Sequence, residues 1–88
     1  MPSGHTATHD EVTTEIRQYL TRLTGLPSLA DDRPLISERV LDSIAAVQIV
    51  DFVERTFRIE VADEDLELAN FDTVNGLVGL VTRHLEQA

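Results

Sequence analysis

One serine stands between an aspartate and a strongly apolar run, in the stretch VLDSIAAVQIVDFV at residues 40–53. Ser43, with Asp42 and Ile44 beside it, is the residue best suited to chemistry. At a helix N-terminus its hydroxyl would face unpaired backbone N–H groups and the positive end of the helix dipole. A phosphate ester on that hydroxyl would be favoured there. Ordinary helix capping uses the same residue type, so both interpretations stay open.

Enzymatic sites find little support elsewhere in the chain. Ser43 lacks the GxSxG surroundings of a nucleophile elbow. His5 and His9 fall in the N-terminal region and His84 near the far end of the last predicted helix, so no base is paired with a nucleophile. The absence of cysteine excludes a thiol nucleophile and a Cys-based zinc site. We therefore predict no enzyme activity and no catalytic residues.

A metal site is also a weak hypothesis. Asp63, Asp65 and Glu67 alternate as at the start of an EF-hand loop, but Leu68 occupies the position that demands glycine. Acidic residues at the start of a helix, favoured by the helix dipole, explain the same pattern. We predict that these residues bind no metal.

The charge balance restricts the class of partner. Asp and Glu total 16 against 7 basic residues, all of them Arg, which gives a net charge of -9. Such a surface repels nucleic acid and suits partners with basic patches. The first ten residues do not resemble a signal peptide, and no apolar run approaches the roughly 18 residues of a membrane span. We expect a soluble cytoplasmic protein.

Helix signals divide the chain into a few elements. Thr8 and Glu11 form a capping box, and Gly25 is placed to end a first helix over about 9–24. Two prolines argue against regular structure in the following loop, whose apolar residues we expect to pack on the core. A second helix over about 43–57 has Asp42 or Ser43 as its cap. A short helix over about 63–68, capped by Asp63, and a last helix over about 73–85 follow.

Apolar spacing then assigns the buried faces. On the second helix the pattern predicts an inward face of Ile44, Val47, Val50, Val53 and Phe57, widened by Ala46, Ile49 and Phe52. On the last helix it selects Val74, Leu77, Val78, Val81 and Leu85, while Gly76 and Gly79 either allow close helix contact or weaken the helix. The predicted fold is an all-α four-helix bundle with three main helices, one short third helix and a long first loop. We expect one domain over 9–88 after a disordered tail at 1–8.

Several of these segments together resemble one family. Asp42-Ser43-Ile44, followed by VQIVDFVERTFRIEV, resembles the phosphopantetheine attachment site of acyl carrier proteins, where Asp-Ser-Leu is usual. The acidic DEDLE and the later FDTVNGLVGLV are also similar to that family. The resemblance covers about residues 9–86. Because helix order, acidity and two downstream segments agree at once, it is more specific than three residues alone.

The resemblance implies a carrier rather than an enzyme. A phosphopantetheinyl transferase would move 4′-phosphopantetheine from coenzyme A onto Ser43, between Asp42 and Ile44, and the arm would hold an acyl or aminoacyl group as a thioester. The partners implied are that transferase, a loading enzyme and a downstream synthase or transferase, with no nucleic acid or membrane, and we expect a monomer. The second helix is the family's main docking surface, and we assign partner contacts to Val47, Gln48, Asp51, Glu54, Arg55 and Ile59.

Departures from the family pattern bear on the pathway. Fatty-acid carriers usually place acids early on the second helix, where this chain has Ala45 and Gln48. Peptidyl carriers usually have Gly-Gly-x-Ser, which residues 40–42 do not fit. We therefore favour a free-standing carrier of a specialised polyketide or hybrid pathway. An aminoacyl or peptidyl carrier and a fatty-acid carrier are the alternatives. The rival from another class is an unmodified helical adaptor in which Ser43 is only a cap.

Overall fold

The computed structural model describes residues 8–27 and 29–87, in which helices and loops occur and no strand. Helix α1 spans His9–Thr24, α2 spans Ser43–Phe57, α3 spans Leu68–Phe71 and α4 spans Val74–Gln87, with a 3₁₀ turn at Asp63–Asp65 before α3. This confirms the predicted all-α bundle with its short third helix and long first loop. Residues 1–7 of the predicted tail lie outside the described residues. No helix in the described ranges is long and apolar enough to cross a membrane.

The ends of α1 follow from local signals in the sequence. The Thr8 hydroxyl accepts a hydrogen bond from the Glu11 N–H, and the Glu11 carboxylate accepts one from the Thr8 N–H, at 3.2 and 2.8 Å. Gly25 ends the helix with φ 74° and donates its N–H to the Thr21 carbonyl. Glycine tolerates this left-handed conformation at no steric cost, so the predicted bounds of α1 are confirmed.

The core is entirely apolar within the described residues. Helix α1 packs mainly against α4, and α2 and α3 also contact α4. The long first loop contributes leucines, as predicted. The buried side chains are Val12, Ile16 and Leu20 of α1; Leu29, Leu35 and Leu41 of the loop; Ala45, Ile49, Val53 and Phe57 of α2; Phe71 of α3; and Val74, Leu77, Val78, Leu80 and Val81 of α4.

The predicted inward face of α2 was wrong at its first two positions. Ile44 and Val47 are each 69% exposed, whereas Ala45 is buried in their place. The buried row repeats every four residues from Ala45 through Ile49 to Val53, as residues on one side of a helix do. Because apolar residues surround most of the helix near its start, hydrophobic spacing could not determine which row faces inward.

The predicted short helix over 63–68 was also misplaced. The acidic segment forms only the 3₁₀ turn, in which the Asp65 carboxylate accepts the Ala62 N–H at 3.0 Å. Leu66 then leaves the helical region with φ −82° and ψ 59°. The helix instead begins at Leu68, and its buried Phe71 anchors it to the core. Tertiary packing, rather than capping by Asp63, therefore decides where α3 lies.

Gly76 allows close contact between α3 and α4. A Cβ added at Gly76 would collide with the carbonyl oxygen of Ala69, whereas at Gly79 it would meet only Arg83 at 3.5 Å. The first glycine therefore serves packing, and the second has no such role.

Candidate functional site

Ser43 is the first residue of α2 and is exposed to solvent. The residue before it, Asp42, has an extended backbone, and its carboxylate accepts the Ala45 N–H at 2.9 Å. Asp42 is therefore the helix cap, which decides between the two predicted candidates. Within the described residues the Ser43 hydroxyl makes no hydrogen bond. The structure thus assigns capping to one side chain and leaves the neighbouring hydroxyl accessible.

The electrostatic surroundings of Ser43 favour a negatively charged substituent. The first turn of α2 contains no acidic residue, so only Asp42 offsets the positive end of the helix dipole. Arg39 is exposed nearby in sequence, with φ 62°, and pairs with no carboxylate among the described residues. An anion at such a helix end is stabilised by about 0.3–1 kcal/mol. A phosphodiester on Ser43 therefore fits both the exposure and the local charge.

The loop that leads to Ser43 is fixed by Asp72, at the junction of α3 and α4. The Asp72 carboxylate accepts the N–H groups of Ile36 and Ser37 at 2.7 and 2.8 Å and the Ser37 hydroxyl at 2.6 Å. Its backbone carbonyl accepts the Leu35 N–H at 2.7 Å. The buried Leu41 donates its N–H to the Leu35 carbonyl and so ties the end of this turn to its start. These bonds position the start of α2.

The hydrogen bonds to Asp72 also change its acidity. Burial alone would raise the pKa of this carboxyl, but the Ser37 hydroxyl and the N–H groups of Ser37 and Ile36 lower it, and the pKa is lowered overall. Asp72 is therefore a carboxylate at neutral pH. Sequence analysis missed it because its partners lie about 35 residues away along the chain, and no local motif connects them.

A groove lies where α1 meets the exposed side of α2. The rings of Tyr19 and Phe52 stack in it, with centroids 3.9 Å apart and planes 7° from parallel. Burial, and then the nearby Asp51 carboxylate, raise the pKa of the Tyr19 phenol, although Arg22 opposes this. This α1–α2 groove has a volume of about 490 Å³ and is lined by Tyr19, Val47, Gln48, Asp51, Phe52, Arg55 and Thr56.

The groove brings together most of the residues predicted to contact partners. Val47, Gln48, Asp51 and Arg55 line it, and Arg55 pairs with Asp51 at 3.1 Å. The other two lie outside it. Glu54 is half-buried and its carboxylate accepts the Val61 N–H at 3.0 Å, while the half-buried Ile59 packs against the core; their listed positions in the chain are Glu54 and Ile59.

The acidic segment before α3 makes structural contacts. The Asp65 carboxylate accepts the Ala62 N–H, and the same oxygen lies 2.7 Å from His84 Nε2. The Ala62 N–H, and then the bond to His84, lower the pKa of Asp65. Among the described residues no group of three or more His, Asp or Glu side chains is arranged to hold a metal ion.

Comparison with known proteins places this geometry in a family. Residues 14–81 match the family model described as the phosphopantetheine attachment site. The chain is also similar to the probable acyl carrier protein PigG of Serratia sp. (strain ATCC 39006), with 34% identity over 62 residues. That match covers 67% of this chain and 71% of the relative. Ser43 and the α1–α2 groove both fall within the region that matches the family model.

Proposed function

The chain belongs to the acyl carrier protein family, whose members carry 4′-phosphopantetheine covalently on a serine, and on this premise we propose that Ser43 is the attachment residue. The observation that carries the proposal is the free hydroxyl of Ser43 at the start of α2, beside a helix cap that Asp42 already supplies. Of the exposed serines in the described residues, Ser37 has its hydroxyl bonded to Asp72.

The residues around Ser43 have distinct roles in the attachment reaction. The Ser43 Oγ forms a bond to the phosphorus of coenzyme A as the pyrophosphate P–O bond breaks and adenosine 3′,5′-bisphosphate leaves. The hydroxyl proton passes to a base of the transferase. Asp42 holds the first turn of α2 and contributes a carboxylate to the Mg²⁺ or basic side chains of the transferase. Ile44, which is exposed beside Ser43, gives that enzyme an apolar contact.

The attached arm supplies a terminal thiol, on which acyl groups are held as thioesters. Because the chain has no cysteine, no thiol of its own competes for the acyl group. Loading enzymes and downstream synthases or transferases would meet the cargo at their own active sites, where tethering raises its effective concentration. The protein itself is a carrier and supplies no catalytic residue to these reactions.

Partner enzymes dock on α2 in this proposal, through Val47, Gln48, Asp51 and Arg55. The exposed Val47 gives an apolar contact, and the Asp51–Arg55 pair leaves this surface close to neutral. Glu54 and Ile59 act from beneath this surface, by fixing the backbone that follows α2. The excess acidity of the chain lies after α2, where exposed carboxylates would steer basic partners: Glu60, Asp63, Glu64 and Glu67.

This charge distribution supports a carrier of a specialised polyketide or hybrid pathway. A fatty-acid carrier would present acids early on α2, whereas this helix has Ala45, which is buried, and Gln48, which is exposed. The same features suit a free-standing aminoacyl or peptidyl carrier, which remains the second candidate. Working as a cytoplasmic monomer is part of the proposal.

An unmodified helical adaptor is the competing hypothesis from another class. It explained Ser43 as a helix cap, but the Asp42 carboxylate makes the capping bond. Under that hypothesis the exposed serine has no remaining purpose.

Intact-mass spectrometry separates the two hypotheses. The apo protein would be incubated with coenzyme A, Mg²⁺ and a promiscuous phosphopantetheinyl transferase, together with the variants Ser43→Ala and Ser37→Ala. We expect a gain of one phosphopantetheine on the wild type and on Ser37→Ala, and none on Ser43→Ala. No gain on a folded wild-type protein would favour the adaptor.

A further inference from the structure

The α1–α2 groove is continuous with the attachment serine. We propose that the groove is the resting site of the prosthetic arm in the free carrier, where Tyr19 and Phe52 form the floor and Gln48 and Thr56 supply hydrogen bonds. This inference rests on the proposed attachment at Ser43, and it assigns the groove a ligand: the uncharged, amide-containing part of the arm.

The position of the groove along α2 carries the first part of the argument. Ser43, Val47, Asp51 and Arg55 follow one another at four-residue spacing, so they form one row along the helix. All four residues are exposed. At 1.5 Å per residue, the groove begins about 6 Å beyond Ser43, at Val47, and reaches Thr56 about 20 Å along the helix axis. A chain attached at Ser43 can therefore follow this row without leaving the surface.

The chemistry of the groove carries the second part. Beyond its phosphate, the arm has two methyl groups, a hydroxyl and two amides, none of which is charged. The stacked rings of Tyr19 and Phe52 offer an apolar floor. Gln48 and Thr56 can donate and accept hydrogen bonds at the rim. The groove volume of about 490 Å³ also lies in the range of small-molecule sites.

Charge distinguishes this groove from the other exposed apolar surface. Asp51 and Arg55 neutralise each other at 3.1 Å, so the groove is locally uncharged in a chain of net charge -9. Leu66 and Leu68, which are 55% and 53% exposed, instead alternate with acidic residues in DEDLEL. That acidic surface repels the phosphodiester and offers no comparable amide partners. The arm therefore favours the groove over the surface before α3.

Paramagnetic relaxation in the holo protein tests the contact directly. Because the chain has no cysteine, a thiol-reactive nitroxide labels only the arm. Tyr19 is the only tyrosine, so its ring signals are assigned without ambiguity. With the nitroxide oxidised, we expect loss of the Tyr19 ring and Val47 methyl signals, while the Leu66 and Leu68 methyl signals persist. The reduced nitroxide gives the reference spectrum.

Two matched variants control for surface effects. Val47→Asp and Leu66→Asp each place a carboxylate at an exposed apolar position, so both should fold. We expect Val47→Asp to restore the Tyr19 signals of the labelled protein and Leu66→Asp to leave them broadened. Broadening centred on Leu66 and Leu68, or equal weak broadening throughout, would overturn the proposal. Labelling requires prior attachment at Ser43, so failure of the proposed function would show earlier, as an absent mass gain.

Discussion

Separate replacement of Asp42 and Ser43 by alanine should distinguish the residue that stabilises α2 from the residue that carries the proposed group. The Asp42 carboxylate accepts the Ala45 N–H at 2.9 Å and offsets the helix dipole. Loss of such a cap costs about 0.5–2 kcal/mol, and typically about 1. In a domain of this size, a loss of about 1 kcal/mol lowers the Tm by about 4–8 °C.

Ser43→Ala should change stability much less. The Ser43 side chain is exposed and makes no hydrogen bond among the described residues. Surface substitutions of this kind fall within about 0.5 kcal/mol of the wild type. Asp42→Asn is the matched control, because asparagine caps about as well as aspartate while it removes the charge.

Urea unfolding of the apo proteins, followed by circular dichroism, measures these differences. We expect Asp42→Ala to have the lowest midpoint, Asp42→Asn to lie near the wild type, and Ser43→Ala to match the wild type while losing all modification. If Ser43→Ala were as unstable as Asp42→Ala, the serine would be a helix cap after all. The geometric argument for a free hydroxyl would then be refuted.

Three further substitutions test the fold that positions the site. Arg58 has φ 55° at the end of α2, so Arg58→Gly should raise the free energy of unfolding by up to about 1 kcal/mol, and an unchanged urea midpoint would contradict the strain. Asp72→Asn should cost about 1–2 kcal/mol at neutral pH, since it weakens the hydrogen bonds that fix the loop. Because the pKa of Asp72 is lowered from its ordinary 3.8, its contribution is present above that pH and lost as pH falls through the lower folded value. Unfolding of both proteins across acid pH should therefore show the difference shrinking below about pH 4, whereas a constant difference would contradict the role of the charge. Gly76→Ala should cost about 1–3 kcal/mol through collision with the Ala69 carbonyl, while Gly79→Ala should gain up to about 1; equal thermal shifts would contradict the close approach.

The bounds of the longest helices could be predicted because their signals are local. Thr8, Glu11 and Gly25 mark the ends of α1 within a few residues of the bonds they make. The same holds for the start of α2, where Asp42 precedes the helix it caps. The residues that carry the family resemblance are also contiguous there, so the attachment serine could be proposed from sequence.

Features that depend on tertiary contacts could not be predicted. The buried row of α2 was mistaken because apolar residues such as Ile44 and Val47 lie on the exposed side as well. Nothing in the sequence near Asp72 points to Ser37, and nothing near Tyr19 points to Phe52. The α1–α2 groove arises only when two helices pack, which one-dimensional patterns do not describe.

Tandem mass spectrometry of the tryptic peptide spanning residues 40–55 tests the central claim most directly. Cleavage after Arg39 and Arg55 releases a peptide in which Ser43 is the only residue with a hydroxyl group. After incubation with coenzyme A and the transferase, we predict that this peptide gains one phosphopantetheine, with fragment ions that place it on Ser43. An unmodified 40–55 peptide in a protein that has gained the group elsewhere, or has gained none, would contradict the assignment.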